Sequence, residues 1–400
     1  MRILFAGAYR PYPLTSGGRI RSYHLLRELS CRHEVHLLTL NHEPDDHDLA
    51  PLCRWCATVE SIPAPARPSG LAGRWWRLCA RPDDIVLSRT SGPLATRLRV
   101  RLSREPFDLL FLDDLGAEPY LRLPGRPPTL LSKHNAEGRL LDRLATLKTG
   151  QPIARLLARL EAGAGRRREA RAMALADGII VPADADRRAL PGPTYARTFV
   201  VPNGVDTDYF RPRPQPADGP PLLLFCGALF WYPNVDAMTW FCGEVLPWVR
   251  RKVPEVRLQI VGAAPPPAVQ KLGSLPGVDV VGFVDDVRPY LAGATVCIAP
   301  LRAGSGSRLK ILEALAAGRA VVATSVGAEG LDLAPGLDLC IVDGADHFAR
   351  ALVNLLADPT RRAALERAGR AAVEAHYDWS LTLADLDRIC GEVAQRGALT

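Results

Sequence analysis

No run of about twenty apolar residues occurs in this sequence, so no helix is expected to span a bilayer. The apolar start Met1-Arg2-Ile3-Leu4-Phe5-Ala6 is too short for a secretory leader, and the expected location is cytoplasmic, at most peripheral to the inner face of the membrane. No GxGxxG follows the first apolar run, which argues against a dinucleotide-dependent oxidoreductase, and no GxxxxGKS or GxxxxGKT occurs, which argues against a P-loop kinase or ATPase. Cys53 and Cys56 form one CxxC, but neither a second pair nor histidines follow at zinc-binding spacing. The nine cysteines are odd in number and scattered through apolar runs, as at Cys226, Cys297 and Cys340, a pattern of reduced, buried thiols. Acidic residues are in slight deficit, 43 against 50 Lys and Arg, for a net charge of +7. That excess suits small anionic ligands or an anionic membrane surface as well as a merely solvated exterior, and no nucleic acid partner is expected.

What is present is 400 residues at 48% hydrophobic content, enough for two domains with a core each. Short apolar runs at Arg2 to Gly7, Glu34 to Leu40, Asp108 to Asp113, Thr129 to Asn135, Gly178 to Pro182 and Thr198 to Pro202 alternate with amphipathic stretches. Leu222 to Gly227, Leu258 to Gly262, Val278 to Phe283, Thr295 to Pro300, Ala320 to Thr324 and Leu339 to Asp343 form a second series. Strands apolar on both faces that alternate with helices predict a parallel sheet covered on both sides, here built twice as two doubly wound Rossmann-like α/β domains. Between the series, Pro202 to Pro221 is rich in proline and glycine, which cannot continue a helix or a central strand. The expected division is 1–203, a linker at 204–221, 222–378, and a terminal amphipathic helix at 379–400 able to pack back on the first domain. In this class of fold ligands are expected at the carboxyl ends of the strands, and two facing domains would form a cleft there. The Arg-rich helical pattern at Ala154 to Ala176 is a candidate contact for an anionic membrane, with a solvated helix as the alternative.

The segment Ala299 to Thr324, APLRAGSGSRLKILEALAAGRAVVAT, reads as a strand end, a Gly/Ser turn, an amphipathic helix and a further strand. Arg308 and Lys310 open the helix, where the backbone dipoles already present roughly half a positive charge and a cation costs about 0.3–1 kcal/mol. An anion at that end reverses the sign. Gly304, Ser305, Gly306 and Ser307 give a turn whose N–H groups approach an anion closely, so the arrangement predicts a phosphate seat. Glu313 lies on the flank of Lys310, one turn on, where a carboxylate can accept hydrogen bonds from a ribose; an exposed Lys–Glu pair is the bland reading. Gly227 ends the first strand of the second series. Gly17 and Gly18 follow the first strand and open the first helix, as a substrate-facing turn or a plain helix start. His134, at the carboxyl end of its run and followed by Asn135, is a candidate to bond a sugar hydroxyl, although a lone histidine is more often structural. Asp-x-Asp recurs at Asp184/Asp186, Asp206/Asp208 and Asp385/Asp387 in unrelated contexts, and no metal is assigned to any of them.

With these residues in place, the chain resembles a family 4 glycosyltransferase of the GT-B fold, retaining and nucleotide-sugar-dependent. The carrying motifs are Ser16-Gly17-Gly18, KHNAE with His134, VPADADRRAL at Val181 to Leu190, VVPNGVDTDYFRP, and GSGSRLKILEALAAGRAVVAT with Glu313. The resemblance implies transfer of a sugar from a UDP- or GDP-linked donor to a hydroxyl acceptor (a glycan, a lipid-linked glycan or a natural product), without metal or other cofactor. It implies Arg308, Lys310 and His134 as catalytic residues and Glu313, Gly304, Ser305, Gly306, Ser307 and Gly227 as donor-binding. Gly17, Gly18 and Asn135 fall on the acceptor side. Two departures stand out. The family's first donor-contacting glutamate is replaced by Ser305, and the Arg and Lys that the family carries after the first strand of its second domain are absent from GALFWYPN (Gly227 to Asn234), which makes Arg308 and Lys310 their replacements. Within the fold, an epimerase or a phosphorylase is the alternative; outside enzymes, a two-lobed sensor that binds nucleotide or sugar without chemistry.

Overall fold

Both series of apolar runs become all-parallel sheets. The computed structural model describes the chain apart from residues 42–48, 65–91, 114–117, 137, 141, 144–151, 191–196, 215–218, 305–307 and 398–400. The first sheet comprises β1 (Arg2–Gly7), β2 (Glu34–Asn41), β3 (Thr58–Pro63), β4 (Leu109–Asp113), β5 (Thr129–Ser132), β6 (Gly178–Val181) and β7 (Thr198–Val200), in the order β3-β2-β1-β4-β5-β6-β7. The second comprises β8 (Leu222–Cys226), β9 (Arg257–Val261), β10 (Val278–Gly282), β11 (Val296–Ala299), β12 (Val321–Ala323) and β13 (Cys340–Ile341), in the order β10-β9-β8-β11-β12-β13.

Each sheet reverses its strand order beside its first strand, and that switch point decides where the site lies. In the first sheet β1 sits between β2 and β4, with Phe5 level with Leu37 on one side and Phe111 on the other. The rings of Phe5 and Phe111 stack at 4.8 Å, both fully buried, so β1 and β4 are locked in register near their carboxyl ends. In the second sheet β8 sits between β9 and β11 in the same way. Helices cover the sheets, among them α1 (Gly17–Ser30), α2 (Pro152–Leu175), α3 (Tyr232–Trp240) and α4 (Leu309–Ala316). Helix α4 begins where expected, with Arg308 in extended conformation at its N-cap and Leu309, Ile311, Leu312 and Leu315 buried. No helix among the described residues is long and apolar enough to cross a membrane.

The chain divides into two compact units, Met1–Pro202 with Leu383–Thr400, and Asn203–Thr382. Residues 204–221, expected as a linker, are instead tied into the second unit through their described part. Val205 bridges Asp378, whose carboxylate accepts from the Thr207 hydroxyl at 2.7 Å, and Arg370 donates to the Thr207 and Phe210 carbonyls at 3.0 and 2.6 Å. Proline and glycine stop regular structure without freeing the chain, because these carbonyls find side-chain donors. The terminal segment is divided as well. Trp379–Thr382 stays in the second unit, whereas the terminal helix Leu386–Gly397 belongs to the first, where Val393 fills the space beside Gly178 and Asp387 pairs with Arg32 at 3.2 Å.

Candidate active site

The chemistry-bearing residues collect at the carboxyl ends of strands in each unit. In the first unit, His134 lies one residue beyond β5, after Lys133, and is buried. Its Nε2 lies 2.8 Å from Oδ1 of Asp113, the last residue of β4, and its Nδ1 lies 3.0 Å from the hydroxyl of Tyr9, just beyond β1. The second oxygen of Asp113 accepts a short bond from the Ser22 hydroxyl of α1, whose oxygen lies 3.0 Å from the Gly18 carbonyl. Burial would push the Asp113 carboxyl up, but the charge of His134 and hydrogen bonds from His134, Ser22 and Ser132 outweigh it and hold the group below its ordinary value. An ionised Asp113 accepts from Nε2–H, so in a neutral His134 the proton sits on Nε2 and Nδ1 accepts from the Tyr9 hydroxyl. The imidazole expected to face a sugar therefore has both nitrogens engaged with protein groups.

The SGG turn acquires a concrete role from this network. Ser16 caps α1, its hydroxyl 3.5 Å from the Arg19 amide. A side chain on Gly18 would fall on the Tyr9 hydroxyl and 3.4 Å from His134 Nδ1, so the glycine leaves room for the Tyr9–His134 contact. Gly17 is exposed at the helix start, and Asn135 is half-buried next to His134. The segment that carries them is anchored by the buried pair Lys133–Glu169 at 3.3 Å, while Glu169 also accepts from the Gly138 amide at 3.2 Å. Asp113, Tyr9 and Ser22 were not singled out from sequence. Their apolar or helical surroundings concealed them, and only the sheet order brings them to His134.

In the second unit, Gly227 directly follows β8, and Lys310 rises from the first turn of α4 to meet it. The Lys310 ammonium is 2.8 Å from Asn234 Oδ1 and 4.0 Å from the centre of the Phe225 ring, and a side chain on Gly227 would meet it at 2.7 Å. The carboxyl ends of β8 and β9 touch: a side chain on Gly262 would overlap the Gly227 carbonyl. Burial, and then the charge of Arg308, lowers the Lys310 pKa to about 7. Burial likewise raises Glu313 to about 7, partly offset by Lys310. Two cations at a helix N-terminus, close enough that Arg308 depresses Lys310, form a site short of negative charge. Arg308 turns its guanidinium onto Gly304, where any side chain would collide with it. Ser305, Gly306 and Ser307 lie outside the described residues. The Asp-x-Asp pairs bond protein groups: Asp184 holds Arg187 and Arg188, Asp206 accepts from the Asp208 and Tyr209 amides at 3.1 and 2.8 Å, and Asp385 pairs with Arg388 at 3.1 Å while Asp387 pairs with the distant Arg32.

Comparison with known proteins identifies the family and the fold. Residues 15–209 match the family described as Glycosyltransferase Family 4, and residues 220–358 match Glycosyl transferases group 1. A phosphatidyl-myo-inositol mannosyltransferase of Mycolicibacterium smegmatis is 34% identical over 208 residues, 49% of this chain and 52% of that protein. The chain thus spans about half the length of this curated relative. Among solved structures, sucrose-phosphate synthase from Thermosynechococcus elongatus superposes with a TM-score of 0.73 at 19% identity, covering 99% of this chain and 100% of that one. Anabaena HepE in complex with UDP and glucose superposes at 0.69 with 16% identity, covering 97% and 98%. Two parallel-sheet units, a cation pair at a helix N-terminus and both family matches lead to one assignment: the chain belongs to the family 4 glycosyltransferases and has the GT-B fold.

Proposed function

We propose that the chain transfers a sugar from a nucleoside diphosphate donor to an acceptor hydroxyl, with retention at the anomeric carbon and without a metal. One observation carries this reading: Lys310, held over Gly227, and Arg308, at the N-cap of the same helix, concentrate positive charge where α4 already presents its positive pole. As the bond from the anomeric carbon to the phosphate oxygen breaks, negative charge grows on the diphosphate, and donors fixed in advance stabilise it without reorganising. Each such donor is worth about 10²–10³ in rate, roughly 2.7–4 kcal/mol. The acceptor oxygen forms the new bond on the same face, and its proton passes to the leaving phosphate. Glu313 accepts from the ribose, most strongly as a carboxylate.

The first unit supplies the acceptor side through Gly17, Gly18, Asn135 and His134. A sugar hydroxyl that bonds His134 Nδ1 takes the position of the Tyr9 hydroxyl. Donors linked to UDP or GDP and acceptors that include lipid-linked glycans are the substrate classes, in keeping with the solved UDP complex and with a relative named for phosphatidyl-myo-inositol. Such an acceptor implies work at the inner membrane face.

The test is single turnover with a panel of UDP- and GDP-linked sugars, with released nucleotide as the readout, in the presence of chelator. Acceptor-dependent release is expected. Conversion of the donor without acceptor indicates an epimerase, no consumption of any donor indicates a sensor, and collapse with chelator restored by manganese overturns metal independence. Arg308→Ala is expected to lower turnover while leaving the melting temperature in place.

A further inference from the structure

Gly227 to Asn234 follows β8 without a charged side chain of its own, yet it encloses one. The Lys310 ammonium arrives from α4, 76 residues along the chain, and lies 2.8 Å from Asn234 Oδ1 above the face of Phe225. Asn234 is itself buried, and its Nδ2 donates to the Ala228 carbonyl at 2.8 Å. A carbonyl only accepts and an ammonium only donates, so the two neighbours fix the amide orientation from opposite ends. Resting on the reading of Lys310 as a diphosphate ligand, we propose that Asn234 is the positioning residue of that grip, a neutral acceptor that holds the ammonium at the carboxyl end of β8.

Neutrality is the point of the choice. An aspartate at 234 would hold the ammonium at least as firmly, but a buried ion pair carries no net charge for a diphosphate to meet. Asparagine restrains the position and leaves the charge intact. The ring of Phe225 adds a second neutral restraint, since its π face attracts the cation without cancelling it. Gly227 completes the arrangement, because any side chain there would meet both the Lys310 ammonium at 2.7 Å and Asn234 Nδ2 at 3.1 Å. The chain thus grips from α4 and steadies the grip from the loop after β8.

The experiment is calorimetric titration of UDP and GDP, with uridine and guanosine as phosphate-free controls, against the unaltered chain, Lys310→Ala, Asn234→Ala, Asn234→Asp and the double variant Lys310→Ala/Asn234→Ala. Asn234→Ala is expected to weaken binding of the preferred diphosphate by about tenfold, the scale of one hydrogen bond to a charged group, and nucleoside binding by less than about twofold. Asn234→Asp keeps the shape if the alanine variant does not fold, and should weaken the diphosphate further still. The double variant should lose no more than Lys310→Ala alone, because Asn234 acts through that ammonium. Additive losses, or equal losses for diphosphate and nucleoside, overturn the positioning role. Failure of the unaltered chain to bind either diphosphate, or a Lys310→Ala variant that binds normally, instead overturns the reading of the site on which the proposal rests.

Discussion

His134 Nε2 and Asp113 Oδ1 stand 2.8 Å apart, joining the carboxyl ends of two neighbouring strands across 21 residues of chain. The carboxyl is held below its ordinary value of 3.8 although burial opposes this, so it is ionised at neutral pH and dictates which imidazole nitrogen carries the proton. Asp113→Asn keeps the shape and removes the charge. Turnover is expected to fall by about ten- to hundredfold, the scale of a hydrogen bond to a charged group. A carboxyl lowered by folding contributes stability that is complete above its unfolded pKa and is lost as pH falls through the folded one. Acid unfolding followed by circular dichroism should therefore be less steeply pH-dependent below about pH 4 in Asp113→Asn. Unchanged turnover would leave the pair a purely structural contact.

Tyr9 occupies the imidazole nitrogen that a sugar hydroxyl is proposed to use. If the two exchange, Tyr9→Phe removes the competitor and lowers the KM for the substrate whose hydroxyl bonds Nδ1 by about two- to fivefold, with kcat nearly unchanged, since one neutral hydrogen bond nets about 0.5–1.5 kcal/mol. His134→Ala removes the nitrogen itself and raises that KM. A Tyr9→Phe variant that loses kcat in step with His134→Ala would show that the hydroxyl belongs to the reacting assembly.

Much of this was legible in the residues. Apolar runs such as Leu222 to Gly227 became strands because a strand buried on both faces must be apolar throughout, and the cations opening α4 were conspicuous because the dipole disfavours them there. β3 went unseen because it is an edge strand, TVESIP, whose polar Glu60 and Ser61 are only half-buried. Asn234 was hidden for a different reason. Nothing local distinguishes a buried asparagine from a turn residue, and its partner lies 76 residues further along the chain. The same holds for Asp113 and Tyr9, whose meaning depends on β1 and β4 being neighbours. Local pattern fixes elements; only strand order assembles a site.

Gly262 carries a prediction about that assembly. A methyl group there would overlap the Gly227 carbonyl and press on Leu229 at 3.1 Å, and backbone cannot swing aside as a side-chain tip does. Gly262→Ala should cost about 1–3 kcal/mol, the range for overpacking a close contact. For a unit of this size that is a drop of roughly 2–4 °C in melting temperature per kcal/mol, read by scanning calorimetry. Because Gly227 moves beneath Lys310, diphosphate affinity should fall in the same variant. Normal stability with normal binding would mean that β8 and β9 separate without consequence.

The low pKa of Lys310 gives the last prediction its sign. In the empty site, burial and then Arg308 lower it to about 7, so at pH 8 most of the ammonium has lost its proton. A bound diphosphate restores the proton by charge attraction, so binding takes up protons above pH 7, and affinity falls as pH rises, by at most tenfold per unit. Titrations at pH 7.5 and 8.5 measure the fall, and buffers of different ionisation enthalpy count the protons. Lys310→Arg should flatten the profile, since a guanidinium does not titrate in this range. Glu313 also titrates about pH 7, and as a carboxylate it favours the charged lysine. Glu313→Gln should therefore move the fall to lower pH rather than abolish it. An affinity that rises from pH 7.5 to 8.5 would remove Lys310 from the diphosphate.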